Sequence, residues 1–178
     1  MKISKYLLFV FALLLGSAVY SQEIIYPKTA FDQAAAKKAL EKGKSSISGF
    51  VFSAPRNGFG IKHVNERTYG KYKVVSLFPL TPYMEEWKKL RTRLHNTGKK
   101  IVKMSKEADA TRIDVETDEG GNFTFKDLKP GKYLLISEVS WHYAQTDEDP
   151  EENIYVEVYG TAEIKTDGEK LTKVKVTN

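Results

Sequence analysis

Side chains able to perform chemistry are few in this sequence, and none forms a familiar catalytic pattern. The absence of cysteine excludes disulfides, thiolate catalysis and sulfur-ligated zinc sites. The three histidines, His63, His95 and His142, lie far apart and lack the His-Glu-x-x-His spacing of a helical zinc site. No Gly-x-Ser-x-Gly motif is present to hold a nucleophilic serine. We therefore predict no catalytic residue, no cofactor and no enzymatic activity.

An acidic segment offers the only candidate metal ligands. Residues 147–152 contain five carboxylates, and Asp147, Asp149 and Glu151 stand at alternate positions that suit the oxygen-rich shell of calcium. The glycine and the ligand spacing of an EF-hand loop are missing. A solvated acidic loop is the main interpretation, and weak calcium binding is the alternative.

A basic segment offers a candidate surface for a binding partner. Residues 88–106 contain eight Lys or Arg and no acid, whereas residues 107–119 contain six acids and one base. The main interpretation is a solvated face whose charge the acidic segment neutralises in the fold. The alternative is a partner-binding face formed by Lys88, Lys89, Arg91 and Arg93.

Aromatic residues near the acidic segment suggest a second candidate surface. Trp141, Tyr143, Tyr155 and Tyr159 would form a platform for sugar rings if they shared one open face of a sheet. Packing in a core is the more ordinary role for such residues.

The first 21 residues are typical of a secretory signal peptide. Lys2 and Lys5 precede an unbroken apolar run over 6–15, and small residues then lead to a predicted cleavage site before Gln22. The run is shorter than the ~20 residues of a membrane span, so we expect no transmembrane anchor after cleavage. Cleavage lowers the formal net charge from +5 to +3. The predicted location is periplasmic or extracellular, where nucleic acid is not an expected partner.

Apolar periodicity predicts the elements that must position these residues. A short helix is predicted with Thr29 as its cap and Gly43 as its stop, followed by a central strand over 45–53. Thr81 and Pro82 begin a second helix, whose stripe of Tyr83, Trp87, Leu90 and Leu94 should pack on the protein, leaving the basic face outward.

The remaining sequence alternates like β-structure. Strands are predicted over 71–78, 123–125, 132–139, 154–164 and 171–176, with a type II turn at Pro130-Gly131. Many short strands separated by turns predict a mainly β, antiparallel sandwich with a short N-terminal helix and a helical insertion.

Three stretches resemble the carboxypeptidase regulatory-like domain family. They are Ser46–Val51, Val74–Pro79 and Thr117–Tyr133, of which 118–133 is the most specific, and the resemblance covers 47–139. It implies a prealbumin-like, or transthyretin-like, β-sandwich of a kind that is common in exported bacterial proteins and mostly non-catalytic. The long connection between Phe78 and Asp114 departs from the family pattern.

These observations predict three segments and two alternative functions. The segments are a signal peptide over 1–21, a helical segment over 22–44, and a sandwich domain over 45–178 with an insertion over 80–113. The leading function is an exported, non-catalytic binding or accessory domain of the bacterial cell envelope, with a protein or an envelope glycan as its unidentified partner. The alternative is a carbohydrate- or calcium-dependent binding domain that uses Trp141, Tyr143 and the 147–152 loop.

Overall fold

The structure, a computed structural model, describes residues 23–54, 66–94, 100–143 and 152–178, with the backbone alone for 142, 143, 152 and 153. The predicted signal peptide lies outside these residues. In chain order the described elements are β1 Glu23–Ile25, α1 Gln33–Ala39, β2 Ser45–Ser53, β3 Thr68–Tyr69, β4 Val74–Pro79, α2 Pro82–Leu94, β5 Lys100–Val102, α3 Lys106–Asp109, β6 Ile113–Glu116, β7 Asn122–Leu128, β8 Gly131–Tyr143, β9 Glu152–Ile164 and β10 Lys170–Val176.

Two four-stranded sheets face each other and enclose the main core. In one sheet β2 pairs with β10, β3 and β7, and in the other the strand order is β6-β4-β8-β9. Alternate residues of each strand point between the sheets, and they include Ile47, Leu77, Phe125 and Leu135. The predicted fold class, a mainly β sandwich with a short N-terminal helix and a helical insertion, is confirmed. Within these two sheets, the described pairing of β10 with β2 is parallel and the others are antiparallel.

β2 has the predicted bounds and is central, because strands pair with it on both edges. Gly49 lies where the chain leaves no room for a side chain. An added Cβ would stand 2.0 Å from the carbonyl oxygen of Val174. The pairing shifts register between Leu171 and Val174, where Lys173 adopts a φ of 60°. This bulge brings the β10 backbone against Gly49.

The turn at Pro130-Gly131 is not the predicted type II turn. Gly131 has a φ of 157°, whereas the third position of a type II turn requires about +80°. The physical reason is topological, since β7 and β8 belong to different sheets and the connection carries the chain from one to the other. The left-handed residue of this region is Asp127, with a φ of 58°.

The N-terminal helix differs from the prediction at its start. Asp32, not Thr29, is the cap, and its carboxylate accepts a hydrogen bond of 2.9 Å from the Ala35 amide. Leu40 caps the C-terminal end, so the helix finishes before Gly43. Thr29 serves elsewhere, because its amide and that of Lys28 donate to the Glu86 carboxylate of α2 at 2.8 and 3.0 Å.

The segment before α1 contacts two elements of the insertion, α2 and β5. β1 pairs in parallel with β5, and the Lys103 amide donates to the Ile25 carbonyl at 2.9 Å. Phe31 packs edge-on against Tyr83 of α2 with ring centroids 5.3 Å apart. Residues 23–31, which we call the N-terminal strap, therefore join α2 to β5.

The insertion lies on the outer face of the β6-β4-β8-β9 sheet. Tyr83 and Trp87 are buried, and Leu90 and Leu94 are partly buried against the same cluster, which confirms the predicted stripe. Thr81 caps α2, accepting a hydrogen bond of 3.4 Å from the Met84 amide. Together with Phe78, Leu134 and Val102 these side chains form a second core outside the sandwich.

Candidate functional site

A groove separates part of the insertion from the sheet beneath it and has a volume of about 560 Å³. Its floor is formed by Ser76, Phe78 and Ile136 of the sheet. Trp87 and Arg91 of α2 line one wall. The opposite wall contains the residues that follow along the chain, which are 101–104, Lys106, Asp109 and Arg112. We call this space the insertion groove.

Strand register explains why these floor residues point to the groove. Ser76 pairs with Asp114 of β6 and with Ile136 of β8, and Ile136 pairs with Tyr159 of β9. Residues paired across a sheet share a face, so these four form one row beneath the insertion. The residues one step along each strand, such as Val75 and Leu77, point into the sandwich core instead.

An ion pair links the helical wall to the sheet. The Arg91 Nε donates to the Glu157 Oε2 at 2.7 Å, and the Tyr159 hydroxyl donates to the same oxygen. Burial alone would lower the pKa of the Arg91 guanidinium, but the hydrogen bond and charge of Glu157 outweigh it and raise that pKa. Burial, together with the Glu157 carboxylate, raises the pKa of Tyr159. Arg91 is therefore held charged and Tyr159 neutral, both in fixed positions.

A second charged cluster lies on the opposite side of the groove. The Arg112 Nε donates to both carboxylate oxygens of Asp114, at 3.1 and 3.0 Å, and its Nη1 donates to the Asp109 carbonyl at 2.8 Å. The Ser76 hydroxyl donates to the Asp114 Oδ1 at 2.7 Å. The Arg112 Nη1 also donates to the Asp109 carboxylate at 2.5 Å. These contacts fix a guanidinium, two carboxylates and a hydroxyl around one end of the floor.

Three polar groups of the groove lack such partners within the described part of the chain. Lys103 and Lys106 are exposed and form no ion pair there. Trp87 is only 4% exposed, and its buried indole N–H has no hydrogen-bond acceptor. A buried donor without an acceptor costs about 1–3 kcal/mol, so the indole N–H is a destabilising feature of the protein alone.

The fold is shared with a solved bacterial protein. A crystal structure from Pseudomonas aeruginosa, described as that of a "putative carbohydrate binding protein", matches this chain with a TM-score of 0.61 and 21% sequence identity. The match covers 86% of this chain and 100% of the other. Neither a protein-family model nor a curated protein matches the sequence. At this identity the likeness establishes the fold.

The basic residues predicted to face outward from α2 differ in how exposed their side chains are. Lys89 and Arg93 are exposed and Lys88 is half-buried. The prediction is wrong for Arg91, whose side chain is 26% exposed and turns to Glu157. We also expected the acids of 107–119 to neutralise the basic residues of 88–106, and the described ion pairs differ from that expectation. Arg91 pairs with β9 and Lys100 pairs with Glu23, while Arg112 satisfies acids of its own segment.

The structure does not bring the four predicted platform aromatics to one open face. Trp141 packs against the sandwich core, opposite Ile154. Tyr155 and Tyr159 belong to the alternate set of β9 residues and point to the outer face, where Tyr155 is 61% exposed and Tyr159 packs against Trp87 with centroids 6.3 Å apart. The side chain of Tyr143 lies outside the described residues.

The calcium prediction cannot be placed in the fold, since Asp147, Asp149 and Glu151 lie outside the described residues. Within the described ranges, no three His, Asp or Glu side chains are grouped so that they could hold a metal ion. None of the helices in those ranges has the length and apolar character needed to cross a bilayer.

Sequence reasoning missed Ser76, Asp109, Arg112 and Glu157 as residues of the site. Their partners are distant in sequence, as with Arg91 and Glu157, so spacing along the chain carries no signal. The strand over 154–164 did contain a usable signal. On its outer face, Glu157 stands between Tyr155 and Tyr159. Two tyrosines on the outer face of a strand, beside an amphipathic helix, indicate a face that the helix partly covers.

Proposed function

We propose that this protein is an exported, non-enzymatic binding domain whose ligand is a carbohydrate held in the insertion groove. The observation that carries the proposal is the composition of the groove. An apolar floor lies between two charged clusters in which hydrogen-bond donors and acceptors stand side by side. A sugar presents an apolar ring face and hydroxyls that both donate and accept, and it needs both kinds of surface.

The charged clusters suit hydroxyl recognition because they are fixed before a ligand arrives. Arg91 is held by Glu157, and Arg112 is held by Asp109 and Asp114. Each guanidinium has five N–H donors, and one ion pair uses only part of them. Binding to groups that are already ordered avoids part of the entropy cost of association.

Trp87 supplies the aromatic component that the sequence located elsewhere. It lines the groove with Phe78 and Ile136, and its indole N–H has no acceptor among the residues that the structure describes. The groove volume of about 560 Å³ is within the ~300–1,000 Å³ typical of small-molecule sites.

Three further observations support the proposal. Glu157 and Asp109, the two groove carboxylates, are each engaged by an arginine, an arrangement suited to holding charge rather than to exchanging protons. The family that the sequence resembles is mostly non-catalytic and exported. The structural neighbour is described as a putative carbohydrate binding protein.

Intrinsic fluorescence offers a direct test, because the chain has two tryptophans in different places. Trp87 lines the groove, whereas Trp141 packs on the sandwich core. After a glycan array has identified a binding oligosaccharide, titration should change the fluorescence of the Trp141→Phe variant. The same titration should leave the spectrum of the Trp87→Phe variant nearly unchanged.

A charge variant tests the same site independently of fluorescence. Arg112→Gln should weaken oligosaccharide binding in calorimetry by about tenfold or more, because hydrogen bonds to charged groups contribute ~1.5–3 kcal/mol. Arg93→Gln, which alters an exposed arginine outside the groove, is the matched control and should leave affinity unchanged. A response that stays with Trp141, or equal affinities for both arginine variants, would place the ligand elsewhere.

A further inference from the structure

We infer that the ligand of the insertion groove is an anionic saccharide, an inference that rests on the proposed function and narrows its ligand class. The observation that points to negative charge is the distribution of cations along the groove walls. Arg91, Lys103, Lys106 and Arg112 line the groove, together with the carboxylates of Asp109 and Glu157. The two arginines pair with carboxylates of the protein, whereas the two lysines form no ion pair within the described ranges.

Neither groove arginine contributes net positive charge, because Arg91 is balanced by one carboxylate and Arg112 faces two. Arg91 pairs with Glu157 at 2.7 Å, and Arg112 contacts the carboxylates of Asp109 and Asp114. These clusters have little remaining attraction for an anion, although they retain hydrogen-bond donors and acceptors for neutral hydroxyls. Lys103 and Lys106, by contrast, form no ion pair within the described ranges, so they are the groove cations that remain able to pair with an anion.

The two lysines stand on the same wall and on well-anchored backbone. Lys103 follows β5, and its amide is hydrogen-bonded to Ile25 of the N-terminal strap. Lys106 begins α3 immediately after Ser105, whose amide donates to the Tyr83 hydroxyl at 2.7 Å and whose own hydroxyl caps the helix. Anchored backbone keeps both ammonium groups near the groove while the flexible side chains adapt to the anion.

The ligand chemistry follows from this division of charge. An ammonium pairs with carboxylate, phosphate or sulfate as a point charge, and it does not demand the planar geometry of a guanidinium. A neutral sugar would use the two fixed clusters and leave both lysines solvated. A saccharide bearing anionic groups would use the clusters for its hydroxyls and the lysine wall for its charge.

The test compares matched ligands that differ only in charge. Uronic-acid oligosaccharides, the same oligosaccharides as methyl esters and a set of sulfated oligosaccharides are titrated against the mature protein by calorimetry. We expect an acidic form to bind at least about tenfold more tightly than its uncharged ester at low salt. The difference should shrink as salt is raised, because exposed charges are screened. Preference for the uronate or for the sulfate identifies the anion, and either result supports the inference.

Matched variants connect the charge preference to the two lysines. Lys103→Gln with Lys106→Gln should lower affinity for the acidic ligand by about five- to twentyfold and leave affinity for the ester unchanged. Lys173→Gln with Lys175→Gln removes two exposed lysines of β10, away from the groove, and should change neither affinity.

If neither the uronate nor the sulfated oligosaccharides bound more tightly than the uncharged ester, the inference would be overturned and the proposed function would stand. An acidic ligand whose affinity survives the loss of Lys103 and Lys106 would overturn it in the same way. A protein that binds no member of the panel, charged or neutral, would overturn the proposed function itself.

Discussion

The β6-β4-β8-β9 sheet has an apolar core on each face, and the two cores are built differently. On the inner face, side chains such as Leu77, Phe125 and Leu135 are at most 1% exposed, and they come from strands of both sheets. On the outer face, α2 and β5 cover only part of the sheet, and the buried residues include Tyr83 and Trp87. The inner core is closed by a second sheet, whereas the outer core ends at a groove.

The polar groups of the two cores show what this difference means. In the inner core the Ser137 hydroxyl donates to the Val74 carbonyl at 2.7 Å. The buried Ser53 hydroxyl, on the same side of β2 as Ile47 and Val51, has no hydrogen-bond partner within the described residues. In the outer core the Trp87 N–H has no acceptor within the described residues, and Arg91 and Glu157 are held partly out of water. Each core therefore retains a buried polar group without a partner in the described ranges, at a cost in stability. The outer core differs in its ion pair, whose charged groups line the groove, while the inner core packs against the other face of the sheet.

The largest effect is expected from damage to the inner core. Phe125→Ala removes a ring that is 1% exposed and should lower the free energy of unfolding by about 3–5 kcal/mol. Urea unfolding followed by far-UV circular dichroism measures this loss. Lys126→Ala, at the exposed neighbouring position of the same strand, is the control and should stay within about 0.5 kcal/mol. A loss below about 1 kcal/mol for Phe125→Ala would contradict a close-packed inner core.

A somewhat smaller and more local effect is expected in the outer core. Trp87→Ala should cost about 3 kcal/mol, at the lower end for a buried tryptophan, because it also removes an unsatisfied buried donor. Native-state hydrogen exchange should show lost protection in α2 and β5 while amides of β2 and β8 remain protected. Lys89→Glu on the exposed side of α2 should change neither. Equal loss of protection in both sheets would mean that the two cores unfold as one unit.

The sequence predicted best those elements whose burial is decided along the strand or helix itself. The strand over 45–53 was predicted with its observed bounds, because it carries large apolar residues on both of its faces. The stripe from Tyr83 to Leu94 was predicted because residues three and four apart share one helix face. In both cases the pattern of neighbouring residues carries the information.

The site was not predictable in the same way, because its contacts join distant parts of the chain. Arg91 and Glu157 are 66 residues apart, and Lys28 and Glu86 are 58 apart. The helix period placed Arg91 on the outward face, but a strand from the far end of the chain supplies its partner and holds the side chain against the sheet. β1 is only three residues long and pairs with the insertion, so no local pattern could reveal it.

The smallest expected effect concerns the N-terminal strap, which joins the two walls of the outer core. Glu86 of α2 accepts hydrogen bonds from the Thr29 and Lys28 amides. Its interactions with Thr29 and then with Lys28 lower the pKa of this carboxyl from 4.5 to about 2. A carboxylate whose pKa is depressed on folding stabilises the folded state above its unfolded pKa, and this contribution is lost as pH falls through the folded pKa. The strap should therefore weaken between pH 5 and pH 2.

Glu86→Gln removes this charge and so should remove the pH dependence that it causes. The variant should be less stable than the wild type at pH 6, and most of the difference should be lost as pH falls to 2, where the wild-type carboxyl is about half protonated. Thermal unfolding from pH 2 to pH 6 measures the difference, and hydrogen exchange at the Lys103 amide reports the β1–β5 pairing directly. Glu85→Gln, which removes an exposed carboxylate from the same helix turn, controls for the loss of charge alone.

If both variants lost stability equally, or if the Glu86→Gln difference persisted at pH 2, the strap would be held by β1–β5 pairing and Phe31 packing instead of by the Glu86 charge. The outer core would then be held, like the inner one, by packing and backbone pairing alone.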